Sequence, residues 1–330
     1  MNPAGQMTTI PTDASRWPGI SVVVPVYRSE AILPELVQRL AQTLPSLAQE
    51  YELILVNDSS PDLSWDVIRH LQPQFSWIRG INLMRNYGQH NALLCGIRAA
   101  RYEVIITMDD DLQHPPEEIP KLLRSLASGY DVVYGTPEQE QHGLGRDLAS
   151  LATKIALRNI VGAEIARQVS AFRAFRRQVV NAFRQYEGSF VSVDVLLTWG
   201  TNRFGAVIVH HKARKQGASG YTFRKLATHA LNMMTGFSTV PLQFASVVGF
   251  CFTLFGVGVL FYVVIRYFLS GSAVPGFPFL ASIIAIFSGA QLFALGIIGE
   301  YLARMHFRMM DRPSYAIREV VATPESKGTT

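Results

Sequence analysis

The stretch Val104-Ile105-Ile106-Thr107-Met108-Asp109-Asp110-Asp111-Leu112-Gln113 decides how this chain is read. A short β-branched run that stops at a cluster of acids predicts a buried strand delivering its carboxylates to the edge of a sheet. Ligands of open α/β sheets gather at that carboxyl edge. Three acids crowded there repel one another unless a cation sits among them, and oxygen ligands of this kind suit a hard Mg²⁺ or Mn²⁺ that holds phosphates. In an extended segment Asp109 and Asp111 share a face, Asp110 points away, and Gln113 continues the first face with a neutral oxygen. The alternative is a solvated acidic loop before the turn His114-Pro115-Pro116. The buried strand ahead of the acids favours a metal–diphosphate site.

Upstream, strand and helix patterns alternate. Ile20 to Tyr27, Tyr51 to Asn57, Ile78 to Leu83 and the Val104 run read as strands. Helical spacing covers Ala31 to Leu47, with Leu33, Leu36, Val37 and Leu40 on one face, then Trp65 to Leu71 and about Gly88 to Ala100. Such alternation predicts parallel strands with helical crossovers, an α/β doubly wound, mostly parallel sheet. Further strands are expected at Tyr130 to Tyr134 and Gly205 to His210. Asp58 ends the second strand, where a carboxylate either accepts hydrogen bonds from a base or ribose or caps the turn Ser59 to Asp62. The segment Arg85-Asn86-Tyr87-Gly88-Gln89-His90 puts a glycine at a helix start, a place that favours phosphate.

Two stretches, Leu242 to Ile265 and Phe277 to Ile298, contain no Asp, Glu or Lys. At roughly 20 residues each is long enough to cross a bilayer, and few soluble helices stay apolar all round. Arg224, Lys225 and His229 precede the first span, and Arg304, Arg308 and Arg312 follow the second. The intervening loop carries only Arg266. The positive-inside rule then puts both termini in the cytoplasm and predicts a multi-pass membrane protein whose intervening loop faces the periplasm or a lumen. The expected organisation is a lead-in over 1–19 without a signal-peptide core, a catalytic domain over 20–232, a two-helix hairpin within 240–302 and a cytoplasmic tail over 303–330. Cys95 and Cys251 imply no disulfide framework.

The net charge of +5 hides a division: residues 1–145 carry 10 Lys and Arg against 17 Asp and Glu, and residues 146–330 carry 20 against 8. The excess from Arg146 to Lys225 suits anionic membrane lipids and an anionic substrate; with a membrane already supplying an anionic neighbour, no nucleic acid is expected. Arg146 to Val161 reads as a basic amphipathic helix, either packed on the domain or lying in the membrane interface.

The chain resembles the family 2 glycosyltransferases of GT-A fold, a Rossmann-like architecture. Within them it is similar to the polyprenyl-phosphate glycosyltransferases, a group that includes dolichol-phosphate mannose synthase and the bacterial enzymes that load undecaprenyl phosphate with glucose or formamido-arabinose. The resemblance rests on Val24-Pro25-Val26-Tyr27, Val56-Asn57-Asp58-Ser59-Ser60, Arg85 to His90, Asp109 to Glu117, Phe172 to Arg177 and Gly299-Glu300-Tyr301. It implies that Pro25, Tyr27 and Asp58 line a nucleoside pocket, with Glu30, Asn86, Gly88 and Asp110 among the substrate-binding positions. Asp109 and Asp111 form the D-x-D, with Asp111 and Gln113 holding the metal. Arg146 and Arg173 match arginines for the acceptor phosphate, and Ser219 and Tyr221 match part of a substrate loop.

This chain departs from the pattern at Arg28 and Ser29, at Gly220, and at Gln168 and Ser170, where an acid is often found. The implied reaction is inverting transfer of a sugar from a nucleotide-diphosphate sugar to polyprenyl phosphate, serving cell-envelope glycan or lipopolysaccharide modification. A phosphate monoester, largely dianionic at pH 7 with a second pKa of about 6, needs no strong general base. The alternatives are a processive polysaccharide synthase and a non-catalytic, membrane-anchored binding module. A two-span anchor is also compatible with a homo-oligomer.

Overall fold

The computed structural model describes residues 16–137, 168–188, 191–211, 240–270, 276–310 and 313–322. These fall into two compact units: an α/β unit made of the segments up to 211 together with 313–322, and a helical unit made of 240–270 and 276–310.

The α/β unit is built on an eight-stranded sheet. Its strands are β1 (Trp17–Val26), β2 (Ala48–Asn57), β3 (Ile78–Leu83), β4 (Val104–Thr107), β5 (Val132–Pro137), β6 (Arg173–Arg176), β7 (Phe204–Val209) and β8 (Ile317–Ala322). The order across the sheet is β7-β5-β6-β4-β1-β2-β3-β8. The β4-β1-β2-β3 half is parallel, whereas β6 runs antiparallel to β4 and β5 and β8 antiparallel to β3. The sheet is therefore mixed, with a parallel heart as expected. Two strands escape the sequence reading. β6 is only four residues long and arginine-flanked, and β8 lies in the stretch assigned to a tail.

Helices α1 (Leu33–Leu47), α2 (Ser64–Leu71), α3 (Gln89–Ala99) and α4 (Ile119–Ala127) supply the crossovers. Side chains alternate across β1, so Val22, Val24 and Val26 join Leu36 and Leu40 of α1 and Leu122 of α4 in one core. Val23 turns to the other face, with Leu93, Leu94 and Ile97 of α3. There α3 packs so closely that a β-carbon on Gly96 would stand 2.3 Å from Val23. From β1 the chain crosses to β2 on one side, and from β4 it goes on to β5 on the other, so the connections leaving these two neighbours part company. The resulting topological switch point opens a crevice at the carboxyl ends of these two neighbouring strands. Short α5 (Arg177–Val180) and α6 (Val193–Gly200) complete this unit among the described residues.

The helical unit is α7 (Val240–Ser270) followed by α8 (Phe277–Met309). Apolar side chains such as Phe250, Leu254, Phe261, Leu280, Ile284 and Leu292 stand exposed along them. Leu242–Arg266 and Ile286–Ala303 are long and apolar enough to cross a membrane. At 33 residues α8 is about 50 Å long against a hydrocarbon core of about 30 Å, so it extends beyond the apolar part. The helices touch through Phe252 and Phe287, edge to face at 5.7 Å. Where tail was expected, the chain instead returns to the α/β unit as β8. Val320 and Val321 suit a sheet, and β3 would otherwise offer an unpaired edge.

Candidate functional site

The crevice at the switch point is lined by the loops that leave β1, β2, β3 and β4. Three of these turn through non-glycine residues in the left-handed region: Arg28 (φ 59°), Ser59 (φ 52°) and Leu112 (φ 58°). Such conformations cost energy and persist where the surroundings hold them. At Arg28 the holding group comes from the neighbouring loop: the Ser60 hydroxyl accepts from the Arg28 N–H at 2.6 Å.

The acidic run is a turn, not an extended strand end, so the alternation argument fails beyond Met108. Leu112 is buried in the core at the left-handed end of the turn, and the three acids find separate partners. Asp109 accepts a hydrogen bond from Gln89 Nε2 at the start of α3, 2.6 Å away. Asp111 accepts from the backbone N–H of Gln113 at 3.1 Å. Asp110 reaches across the switch point to the loop after β1, accepting from the Tyr27 N–H at 3.2 Å and from the Ser29 hydroxyl. Burial pushes the Asp110 carboxyl up to about 6, against the pull of these hydrogen bonds. Asp110 thus joins the two strands that flank the crevice.

Asp58 closes the neighbouring side. Its two oxygens accept from the Tyr87 and Gly88 N–H groups at 2.7 and 2.8 Å; burial raises its pKa although both bonds act to lower it. The side chain clamps the loop after β3 rather than capping its own turn, and each carboxylate oxygen keeps a second acceptor direction. Gly88 has φ 93°, and nothing lies within 4 Å of where its β-carbon would sit, so backbone conformation rather than space calls for glycine. Arg85 lies over the Tyr87 ring at 4.5 Å, and Asn86 is exposed. Pro25 is buried in β1, Tyr27 is exposed beneath the Arg28 guanidinium at 5.5 Å, and Glu30 accepts from the Leu63 N–H at 2.8 Å.

Arg173 is the residue whose position departs most from expectation. It is 1% exposed on β6, its guanidinium paired with Asp194 and its Nε donating to the Thr107 hydroxyl at 2.9 Å. Tyr134 donates to the same Asp194 oxygen at 3.1 Å. An arginine meant to meet a lipid phosphate at the surface is instead an internal brace behind β4. The antiparallel register of Arg173 with Thr107 turns it there. Arg146, Ser219, Tyr221 and the helix expected over 146–161 lie outside the described residues.

Sequence reasoning missed Ser29, noted only as a departure, and also Gln89 and His114. His114 stacks on Phe172 at 5.3 Å, meets His211 edge-on at 5.0 Å, and leaves its buried Nδ1 without a hydrogen-bond partner. Burial pushes its imidazole down to about 4, which keeps it neutral. For a metal, the test is donor chemistry. No cluster of three or more His, Cys, Asp or Glu suited to a metal forms among the described residues. One turn nevertheless carries two carboxylates and an amide in Asp109, Asp111 and Gln113, an oxygen-only set that fits a hard divalent cation.

Comparison with known proteins agrees with this architecture. Residues 21–184 match the model of glycosyl transferase family 2. The undecaprenyl-phosphate 4-deoxy-4-formamido-L-arabinose transferase of Shewanella sediminis is 36% identical, over 94% of this chain and 94% of its own. The enzyme of that name from Pseudomonas fluorescens is 33% identical over 92% and 89%. Among solved structures, glucosyl-3-phosphoglycerate synthase from Mycobacterium tuberculosis, in complex with Mn²⁺ and UDP-glucose, superposes with a TM-score of 0.50 at 18% identity. That match covers 66% of this chain and 77% of the synthase, a likeness of fold. The switch-point crevice, the D-x-D turn, the two apolar helices and relatives similar over nearly the whole length together make this chain a member of glycosyl transferase family 2, among its polyprenyl-phosphate glycosyltransferases.

Proposed function

We propose that this glycosyltransferase moves a sugar from a nucleotide-diphosphate sugar to undecaprenyl phosphate at the cytoplasmic leaflet of a bacterial inner membrane, with inversion. The observation that carries this reading is the convergence of four loops on the β1–β4 switch point. They bring the Tyr27–Glu30 turn, Asp58, the Tyr87–Gly88 backbone and the Asp109–Gln113 turn to one crevice, in a chain that also carries two long exposed apolar helices. The relatives' names supply the lipid. Chain connectivity supports a hairpin with both ends on one side of the membrane, since the chain enters it from the α/β unit and returns to the same sheet as β8.

In this reading an acceptor phosphate oxygen attacks the anomeric carbon from the face opposite the diphosphate. The bond from that carbon to the diphosphate oxygen breaks, and the nucleoside diphosphate leaves with the electron pair. A divalent cation held by Asp109, Asp111 and Gln113 would neutralise and orient that leaving group. Asp110 and Ser29 keep the metal-bearing turn and the nucleoside-side turn in fixed relation. Asp58 holds the loop after β3 against the crevice and offers its remaining acceptor directions to a base or ribose. His114, uncharged, adds no cationic competition beside the donor set. Arg146 would meet the acceptor phosphate, and Arg173 acts as a positioning residue.

Membranes holding the enzyme, incubated with radiolabelled nucleotide sugars, Mg²⁺ or Mn²⁺ and undecaprenyl phosphate, test the proposal. A chloroform-extractable labelled product is expected. An insoluble polymer would instead point to a processive synthase, and no turnover with any donor to a binding module. Asp111→Asn is expected to abolish transfer while the protein stays folded and membrane-bound; full activity in that variant refutes the metal assignment.

A further inference from the structure

The segment that follows the membrane hairpin does more than complete a sheet. Met84 follows β3 and begins the loop to α3, and both of its backbone groups are taken by the C-terminal segment. Its N–H donates to the Ala316 carbonyl at 2.9 Å, and its carbonyl accepts from Arg318 Nη2 at 3.0 Å. At the loop's other end, the Tyr87 and Gly88 N–H groups are held by Asp58. The loop is thus strapped at both ends, with exposed Arg85 and Asn86 between the straps. The C-terminal segment has independent attachments as well. Ser314 donates to the Gly188 carbonyl at 3.0 Å, and Trp65 Nε1 donates to Glu319 at 3.1 Å. The arginine that grips Met84 is separate from the acid that grips α2.

We infer that residues 313–322 belong to the framework of the donor site, with Arg318 a positioning residue that fixes the 84–88 loop through the Met84 carbonyl. This rests on the proposed use of the crevice for the donor. A loop that loses one of its two ties at Met84 samples more conformations, so donor binding must first freeze it, and apparent affinity falls by the fraction of competent loop.

The test compares full-length wild type, Arg318→Ala and Glu319→Ala in detergent or nanodiscs. Arg318→Ala is expected to raise the donor KM about three- to tenfold, the range for losing one hydrogen bond of ordinary strength, since the Arg318–Met84 bond is exposed. Acceptor KM, kcat and Tm stay close to wild type, and amide exchange quickens at 84–88. Glu319→Ala, which loosens the same strand from α2 alone, leaves donor KM unchanged. The inference is overturned if Arg318→Ala leaves donor KM unaltered, if donor and acceptor KM rise together with a fall in Tm, or if Glu319→Ala behaves identically. Should the wild type transfer no sugar, the functional reading fails. Amide exchange at 84–88 in Arg318→Ala then decides the strap by itself: faster exchange upholds it and unchanged exchange overturns it.

Discussion

Replacing Asp110 by Asn separates the two things its carboxyl does at the switch point. Asn keeps the shape and an acceptor for the Tyr27 N–H and the Ser29 hydroxyl, and it removes the buried charge. Burial raises the carboxyl from an ordinary 3.8 to about 6, and at about 1.4 kcal/mol per pH unit the folded protein then pays roughly 3 kcal/mol to keep Asp110 ionised at neutral pH. The sign follows from the direction of the shift. A carboxyl whose folded pKa lies above its unfolded one contributes its stability below about pH 4, and that contribution is lost as pH rises through about 6. Asp110→Asn has no such loss. In metal-free buffer its Tm should therefore match wild type near pH 4 and exceed it by roughly 5 °C or more at pH 7, given about 2–4 °C per kcal/mol for a domain of this size. Thermal unfolding followed by tryptophan fluorescence from pH 4 to 8 reads this directly. Parallel Tm curves for the two proteins across that range refute the reasoning. A variant less stable than wild type at pH 7 would mean that the charge itself, rather than an acceptor oxygen, holds the Tyr27–Ser29 turn.

Arg173→Ala strips the partner from a buried Asp194, so it should destabilise by about 3–5 kcal/mol and lower donor and acceptor use together; a selective loss of acceptor use in steady-state kinetics would restore the surface-phosphate role. Gly88→Ala meets no steric neighbour but forces alanine to φ 93°, a strain of about 1–3 kcal/mol, so nucleotide titration should report weaker donor binding together with a Tm lower by several degrees. Unchanged donor affinity would mean that the turn before α3 does not shape the pocket.

Much of the donor half is legible before any coordinates. The β-branched run Val104 to Thr107 is buried on both faces because it lies at the centre of the sheet, and that burial is written in its composition. Asp58 and Gly88 announce themselves at a strand end and a helix start, although their mutual grip does not. The span and charge patterns likewise need only local counting.

Tertiary structure decides what depends on partners far apart in sequence. Asp110 looks redundant between Asp109 and Asp111 until the switch point brings Ser29 beside it, 81 residues away. Arg173 looks like a phosphate ligand until α6 brings Asp194 to it. Residues 313–322 look like a tail until the open edge of β3 accepts them. Strand, span and acid cluster could be read from the chain alone because they follow from short-range periodicity and composition. The orientation of each charged group could not, because in a low-dielectric crevice it is set by whichever distant donor or acceptor satisfies it.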